Sequence, residues 1–214
     1  TGIDKDIADE LVRRSGCRIN ITVMPRARIW QLVESGGLDF SLSGISNPQR
    51  ERFATFAWYF TNKYYLLVRR DTGVQQVADF RRKPALRLGA IRSFRYSATA
   101  NTLVDSLDTD LRVSYASALT PLYETLLANQ IQGMIIEPFD YPAVEDTRLR
   151  EQTQIIEFDD PPVLHGLIIS RQAVAPTEEP KWRALVDAMR ADGTVERIFL
   201  KYFKPELARA MTQF

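Results

Sequence analysis

The residues from Ser43 to Arg50 have the types and spacing that bind a small anion. A predicted strand ends at Ser43, and Asn47-Pro48 is a typical helix start, because Asn is a favoured N-cap and Pro is favoured at the first helical position. Ser46 would then lie beside the first backbone N–H groups of that helix, where an anion is stabilised. Arg50 in the first turn can bind the same anion through two parallel hydrogen bonds. The segment therefore indicates a carboxylate site, with a capped helix and an exposed arginine as the alternative.

Other residue types used in catalysis or metal binding are scarce. His165 is the single histidine and lies in an apolar strand pattern beside Gly166, which favours a histidine in the core. Cys17 is the single cysteine, and we interpret it as a small hydrophobic residue that fills core space. The sequence contains no zinc-ligand spacing, no glycine-rich phosphate loop and no nucleophile elbow. We therefore predict no catalytic residue, no metal site and no cofactor.

The composition is that of a globular protein. The chain has 214 residues, of which 45% are hydrophobic and 26% are charged, with a net charge of +1. This length suits one large domain or two modest ones. The balanced charge gives no reason to expect a nucleic-acid partner, and no apolar run approaches the roughly 20 residues of a membrane helix. Composition thus excludes a disordered tail, a coiled coil and a disulfide-rich miniprotein.

Helix and strand patterns alternate along the chain. Helical spacing of apolar residues predicts a first helix that ends at Gly16 and a second that ends at Gly36-Gly37. Between them, alternation over residues 19–23 predicts a half-buried strand. Further strands are predicted over 38–44, 63–69, 86–91, 111–114, 133–137 and 164–170, and further helices over 98–107, 120–129, 182–193 and from 194 onward. This order predicts an α/β layered fold with largely parallel pairing.

Four short segments, in chain order and spanning nearly the whole chain, together match one family. They are residues 2–8, residues 33–39, Arg50 with the aromatic run 56–60, and Ala191-Asp192-Gly193-Thr194 followed by Ile198, Lys201, Tyr202 and Phe203. They resemble the motifs of family 3 solute-binding proteins, the periplasmic amino-acid receptors of ABC transporters and related sensors. The resemblance implies a non-enzymatic, monomeric receptor that binds an amino acid or small carboxylate in the periplasm and delivers it to an ABC permease.

The same resemblance implies a two-lobed type II periplasmic binding fold joined by two crossing strands. Residues 1–69 and 163–214 would form the first lobe, and residues 70–162 the second. The ligand would lie in the cleft between the lobes, and closure of the lobes would trap it.

In the first lobe, the family resemblance assigns three residues to the ligand site. Arg50 would bind the ligand's α-carboxylate, and Ser46 would add its backbone N–H. Gly44 would offer its carbonyl oxygen to the α-ammonium group.

In the second lobe, the resemblance assigns the loop after the 86–91 strand and one acid. Backbone N–H groups of Ser93, Phe94 and Arg95 would complete the carboxylate site. Glu137 would pair with the ammonium group. An acid at the carboxyl end of a buried strand also stands where α/β sheets bind ligands.

The sequence departs from the family pattern at several positions. Tyr59 stands where proline is usual, and the strand and aromatic loop that normally precede Gly2 do not occur, so we expect a longer N-terminus. Two alternatives stay open: a sensor domain of a membrane-bound signalling protein, and a cyclohexadienyl-dehydratase-like enzyme. The enzyme would need an additional acid in the site to protonate a leaving hydroxyl.

Overall fold

A computed structural model describes residues 2–214 of the chain. Helices and strands are interspersed along the chain, with single 3-10 turns at Arg50–Arg52, Arg70–Thr72 and Pro138–Asp140. The helices are α1 (Ile3–Ser15), α2 (Arg26–Ser35), α3 (Val77–Arg82), α4 (Ala98–Thr109), α5 (Leu119–Leu127), α6 (Tyr141–Val144), α7 (Thr147–Gln152), α8 (Glu179–Ala191), α9 (Thr194–Phe199) and α10 (Pro205–Thr212). The strands are β1 (Phe40–Gly44), β2 (Ala54–Asn62), β3 (Tyr65–Arg69), β4 (Leu88–Ile91), β5 (Val113–Ala116), β6 (Gly133–Ile136), β7 (Thr153–Glu157) and β8 (Val163–Ser170).

The chain divides into two compact units, each with its own sheet. The first consists of the chain up to Thr61 together with Leu164–Phe214, and the second is Asn62–Val163. Strand β3, which the sequence analysis assigns to the first lobe, lies in the second unit because it pairs with β6 on one side and β7 on the other. The first change of unit therefore falls earlier than residue 69.

The first unit contains a three-stranded sheet in the order β1-β8-β2. Strand β1 is antiparallel to β8, and the register shifts between Ser41 and Gly44. Gly166 in β8 allows a close approach of backbones, since a Cβ there would lie 2.3 Å from the Ala57 carbonyl oxygen. Helix α2 covers part of this sheet through Trp30 and Val33, which pack with apolar residues of β2 and β8.

The second unit contains a five-stranded sheet in the order β5-β4-β6-β3-β7. Strand β4 is parallel to both β5 and β6, whereas β3 is antiparallel to β6 and β7. Helices α4 and α5 pack on this sheet, and Leu126 and Met134 lie in its core. Pairing is therefore mixed, and the expectation of largely parallel pairing is wrong for β1 and for the β3 edge of the second sheet.

Residues 19–23 do not form the strand that their alternation predicts. Ile21 is 47% exposed and Val23 is fully exposed, and among the described residues no strand pairs with this segment. An alternating sequence becomes a strand only where a neighbouring strand accepts its backbone hydrogen bonds and a core accepts its apolar face. Within residues 2–214, neither is present beside residues 19–23. Cys17, shortly before this segment, is also exposed, so the expectation that it fills core space is wrong.

Glycines end both early helices where the sequence places these ends. Gly16 and Gly36 follow α1 and α2 with φ of 69° and 77°, in the left-handed region that glycine tolerates. In contrast, Asn47-Pro48 does not start an α-helix. The segment forms only the three-residue 3-10 turn that begins at Arg50. Within residues 2–214, no helix is both long and apolar enough to cross a bilayer.

Candidate functional site

Arg50 is a buried guanidinium held by its own loop. Its side chain donates from Nη1 to the Ile45 carbonyl oxygen at 2.8 Å, and its backbone N–H donates to Asn47 Oδ1 at 2.9 Å. Its Cζ lies 3.9 Å from the centre of the Trp30 ring, a cation–π contact. The residue is 8% exposed. Arg50 is thus fixed by the loop at its backbone and one nitrogen, and by the indole face against the guanidinium.

This arrangement favours an anionic ligand. A guanidinium is always charged, and its planar donor fork fits a carboxylate through two parallel hydrogen bonds. The ring of Trp30 belongs to an aromatic cluster with Phe53 and Phe56, and Phe56 stacks on Trp58 at 5.1 Å. Because these contacts hold the Arg50 side chain in place, little of the binding free energy is lost in ordering it.

The other two site residues predicted in the first unit lie on the same stretch of chain. Gly44 ends β1, and Ser46 lies two residues later, half-buried, before the Arg50 turn. Gly44 also has a packing role, since a Cβ there would lie 2.2 Å from Ile168 Cγ1 in the neighbouring strand. The structure therefore brings Gly44, Ser46 and Arg50 together on one strand end and the following turn. Any anion binding there depends on the guanidinium and backbone amides, not on an α-helix dipole.

A polar network that the sequence analysis missed fixes this strand end. Ser43 has a φ of 54°, and its N–H donates to the Tyr59 hydroxyl at 2.8 Å. Its own hydroxyl donates to Asp4 Oδ1, and its carbonyl oxygen lies 3.4 Å from His165 Nδ1. The one available signal was Tyr59, which replaces the family's proline and here supplies the hydroxyl that accepts from Ser43.

Burial changes the titration of this network. His165 is 2% exposed and stacks on Phe60 at 4.6 Å, and burial lowers its pKa to about 3. Burial also raises the pKa of Asp4, although hydrogen bonding to Ser43 acts against this shift. His165 is thus a neutral core residue near neutral pH, as its sequence context favours.

In the second unit, the remaining predicted residues lie at one edge of the sheet. Ser93, Phe94 and Arg95 follow β4, and Glu137 follows β6. Because β4 and β6 are parallel neighbours, their carboxyl ends meet at the same edge. Strand β3 runs the opposite way and pairs Tyr65 with Ile136, so its first residues also lie there.

The side chains of Phe94 and Arg95 in the loop after β4 contact neighbouring residues. Ser93 has a φ of 61°, an uncommon conformation for a residue other than glycine. Phe94 packs against Tyr96 at 4.9 Å and Tyr64 at 6.3 Å. The Arg95 guanidinium binds both carboxylate oxygens of Asp105, at 3.0 and 3.2 Å. The Arg95 charge is thus engaged by α4, and the Phe94 N–H donates to the Ile91 carbonyl oxygen at 3.2 Å, so the prediction that Phe94 offers its N–H to a ligand is not supported.

Glu137 is half-buried and is held by two neighbours. Asn62 donates from Nδ2 to Glu137 Oε2, and the Glu137 N–H donates to Asp140 Oδ2 at 2.9 Å in a capping box around the following 3-10 turn. Burial raises the pKa of Asp140 to about 6. Sequence reasoning missed both partners, although a polar residue at the end of the apolar strand β2 is a signal for Asn62.

The first turn of α4 already binds a carboxylate of this chain. The Thr99 N–H donates to Asp160 Oδ2 at 3.0 Å, and the Thr99 hydroxyl donates to Asp160 Oδ1 at 2.9 Å. The donors of the second unit that face a ligand are therefore expected in the 93–95 loop rather than at Thr99. Within the described chain, no three His, Cys, Asp or Glu residues are grouped in a way that could hold a metal ion.

The fold of the chain matches solved structures of amino-acid-binding proteins. The arginine-, lysine-, histidine-binding protein ArtJ from Geobacillus stearothermophilus is 17% identical, with a TM-score of 0.79 over 98% of this chain and 90% of that chain. AbpA from Streptococcus pneumoniae, an amino acid ABC transporter substrate-binding protein bound to L-arginine, is 18% identical, with a TM-score of 0.75 over 97% and 83%. A Streptococcus pneumoniae ABC uptake transporter substrate-binding protein with bound histidine is 14% identical, with a TM-score of 0.77 over 95% and 83%. These similarities confirm the predicted type II periplasmic binding fold class.

The family is decided by the sequence. Comparison with curated proteins gives no match. The family model of bacterial extracellular solute-binding proteins, family 3, matches residues 1–205, which is nearly the whole chain. The chain therefore belongs to family 3 of the bacterial extracellular solute-binding proteins.

Proposed function

We propose that the protein is a periplasmic receptor that captures an amino acid or a similar small zwitterion, without catalysis, and delivers it to an ABC permease. The observation that carries this proposal is the buried, ordered guanidinium of Arg50 in a solute-binding fold. A carboxylate is the common anionic group that its planar donor fork fits. The receptor acts as a monomer in this proposal.

Each charged end of the ligand is bound by a protein side chain of the opposite charge. Arg50 and the Ser46 N–H bind its carboxylate, with the backbone N–H groups of Ser93 and Arg95 as further donors, since the Phe94 N–H donates to the Ile91 carbonyl oxygen. Glu137 binds the ammonium group, and Gly44 adds a carbonyl acceptor. The similar solved proteins are described with arginine, glutamine or histidine bound, so these three amino acids are the first candidates.

Thermal unfolding in the presence of single ligands tests the proposal. The panel contains the common amino acids, led by L-arginine, L-glutamine and L-histidine, and small carboxylic acids. A ligand present at about 100 times its Kd adds about 2.7 kcal/mol to the free energy of unfolding. We expect such a shift for at least one amino acid, and a panel in which none shifts the transition contradicts the proposal.

The substitution Arg50→Ala identifies the group that binds the carboxylate. We expect it to weaken binding of that amino acid by about 2–5 kcal/mol, because the ligand's carboxylate loses a buried charged partner. Arg52→Ala is the matched control, since Arg52 lies in the same 3-10 turn but is exposed. Equal affinities for wild type and Arg50→Ala would remove Arg50 from the site.

The dehydratase alternative gains no support from the acids of the second unit. Asp140 has a pKa raised to about 6, which suits a general acid. However, Asp140 is buried and its carboxylate accepts the Glu137 N–H, so it is a poor candidate for protonating a substrate. A sensor domain would use the same ligand groups, and no observation within the chain favours it over a transport receptor.

A further inference from the structure

Asn62 is a polar side chain buried at the end of an apolar strand. It is the last residue of β2 and the first residue of the second unit, and it is 1% exposed. Burial of an amide is unfavourable unless its hydrogen bonds are satisfied inside the protein. An amide at this position, rather than a leucine of similar size, therefore requires an explanation.

The orientation of the amide gives that reason. A carboxylate only accepts hydrogen bonds, so the NH₂ end of Asn62 must face Glu137, and Nδ2 donates to Glu137 Oε2. This orientation leaves Asn62 Oδ1 buried with no hydrogen-bond partner among the described residues. An unsatisfied buried acceptor is costly, and a purely structural role would not require it. The donor to Glu137 is the one gain that accompanies this cost.

Asn62 holds one oxygen of the Glu137 carboxylate, and the Asp140 N–H also donates to the Glu137 side chain in the capping box. The Glu137 N–H is bound by Asp140, and Pro138 follows directly in the 3-10 turn. Glu137 remains half-buried, so a ligand can reach it, whereas Asn62 is too deeply buried to be a ligand contact itself. A hydrogen bond of this kind orients the group that contacts the ligand and stabilises its charged form.

We propose that Asn62 is the positioning residue for Glu137 and thereby sets the preference of the site for ligands with a cationic amine. This inference rests on the proposed function, since it assigns Glu137 to the ammonium end of the ligand. Asn62 acts through the carboxylate of Glu137. Its loss should therefore weaken ligands that carry the amine and spare ligands that lack it.

Isothermal titration with a pair of ligands tests this assignment. The pair is whichever of L-arginine, L-glutamine and L-histidine binds wild type most tightly, and the carboxylic acid in which hydrogen replaces its α-amino group. We expect Asn62→Leu to lower affinity for the amino acid about tenfold or more and to leave affinity for the amine-free acid within about twofold. Asn62→Ala, which also lacks the donor, is expected to give the same pattern and serves if the leucine does not fit.

A double-mutant cycle separates positioning from a structural role. In a Glu137→Gln background, Asn62→Leu should cause no further loss of amino-acid affinity, because the group that it positions has already lost its charge. Thr61→Val is the matched control, as Thr61 is the preceding residue, is also buried, and bonds the Met211 carbonyl instead. It should not change the ratio of the two affinities.

The outcomes distinguish this inference from the proposed function. Equal losses for both ligands in Asn62→Leu, or additive losses in the double variant, would overturn the positioning role while Arg50 and Glu137 keep theirs. If wild type binds no ligand of the thermal-unfolding panel, the proposed function itself fails, and the inference fails with it; if it binds only another amino acid of that panel, that amino acid and its amine-free acid form the pair.

Discussion

At the scale of single residues, His165 couples the stability of the first unit to pH. Burial keeps this imidazole neutral, with a pKa of about 3, whereas an unfolded histidine titrates near 6.5. Below pH 6.5 the unfolded chain therefore binds a proton that the folded chain does not, so stability falls as pH decreases towards 3. The free energy of unfolding then falls by up to about 1.4 kcal/mol for each pH unit.

We expect the substitution His165→Gln to remove this contribution. Wild type should lose about 2 kcal/mol more than the variant between pH 7.5 and pH 5, because the folded-state pKa of His165 is well below that range. Urea denaturation at both pH values measures the difference. Contributions from Asp4 and Asp140 are present in both proteins and cancel to first order. Identical pH dependence of the two proteins would show that the pKa of His165 is the same in the folded and unfolded chains.

The residues that we propose to contact the ligand were easier to identify from the sequence than the residues that hold them in place. Arg50 and Glu137 follow recognisable local patterns, a turn after a strand and an acid at a strand end. The hydrogen-bond partners of Asn62 and Asp4 could not be assigned in advance, because these partners, Glu137 and Ser43, are 75 and 39 residues away in the sequence. Long-range side-chain pairs depend on strand register, which periodicity does not specify.

At the scale of elements, α4 and α5 end in the same backbone conformation with different residues. Leu111 follows the last residues of α4 with a φ of 56°, and Asn129 follows those of α5 with a φ of 57°. Asparagine tolerates this left-handed conformation, whereas leucine is strained there. Leu111 is also 81% exposed, so its side chain contributes little burial in compensation.

We expect Leu111→Asn to raise the free energy of unfolding by about 1 kcal/mol, because it relieves this backbone strain. The reverse change Asn129→Leu should lower stability by more than this, because it introduces the same strain and also removes the hydrogen bond from Gln132 Nε2 to Asn129 Oδ1. Urea denaturation measures both. A destabilised Leu111→Asn variant would show that the leucine side chain makes a contact worth more than the strain.

Periodicity predicted most of the helices and strands, but it did not predict how the strands pair. Helices α1 and α2 form and end at the predicted glycines, because spacing and glycine conformation are local properties. Residues 19–23 alternate like a strand but remain unpaired, and β3 pairs antiparallel with both neighbours. Strand formation and direction depend on partners elsewhere in the chain, so a local pattern cannot specify them.

At the scale of the whole molecule, the chain passes from the first unit to the second after Thr61 and returns after Val163. Residues assigned to the ligand lie shortly before or after strand ends in each unit: Gly44 to Arg50 in the first, and Ser93 to Arg95 with Glu137 in the second. The family resemblance predicted this distribution, because family motifs carry topology that composition does not. The ligand's identity depends on side chains around its tail and was not predictable.

The most direct test of the central claim is a crystal structure of the protein with the amino acid that stabilises it most. We predict that the ligand's carboxylate lies on the Arg50 guanidinium, and that its ammonium group lies within hydrogen-bond distance of a Glu137 carboxylate oxygen. A ligand bound in the opposite orientation, or bound without contact to Arg50, would show that Arg50 and Glu137 do not have the roles that we propose.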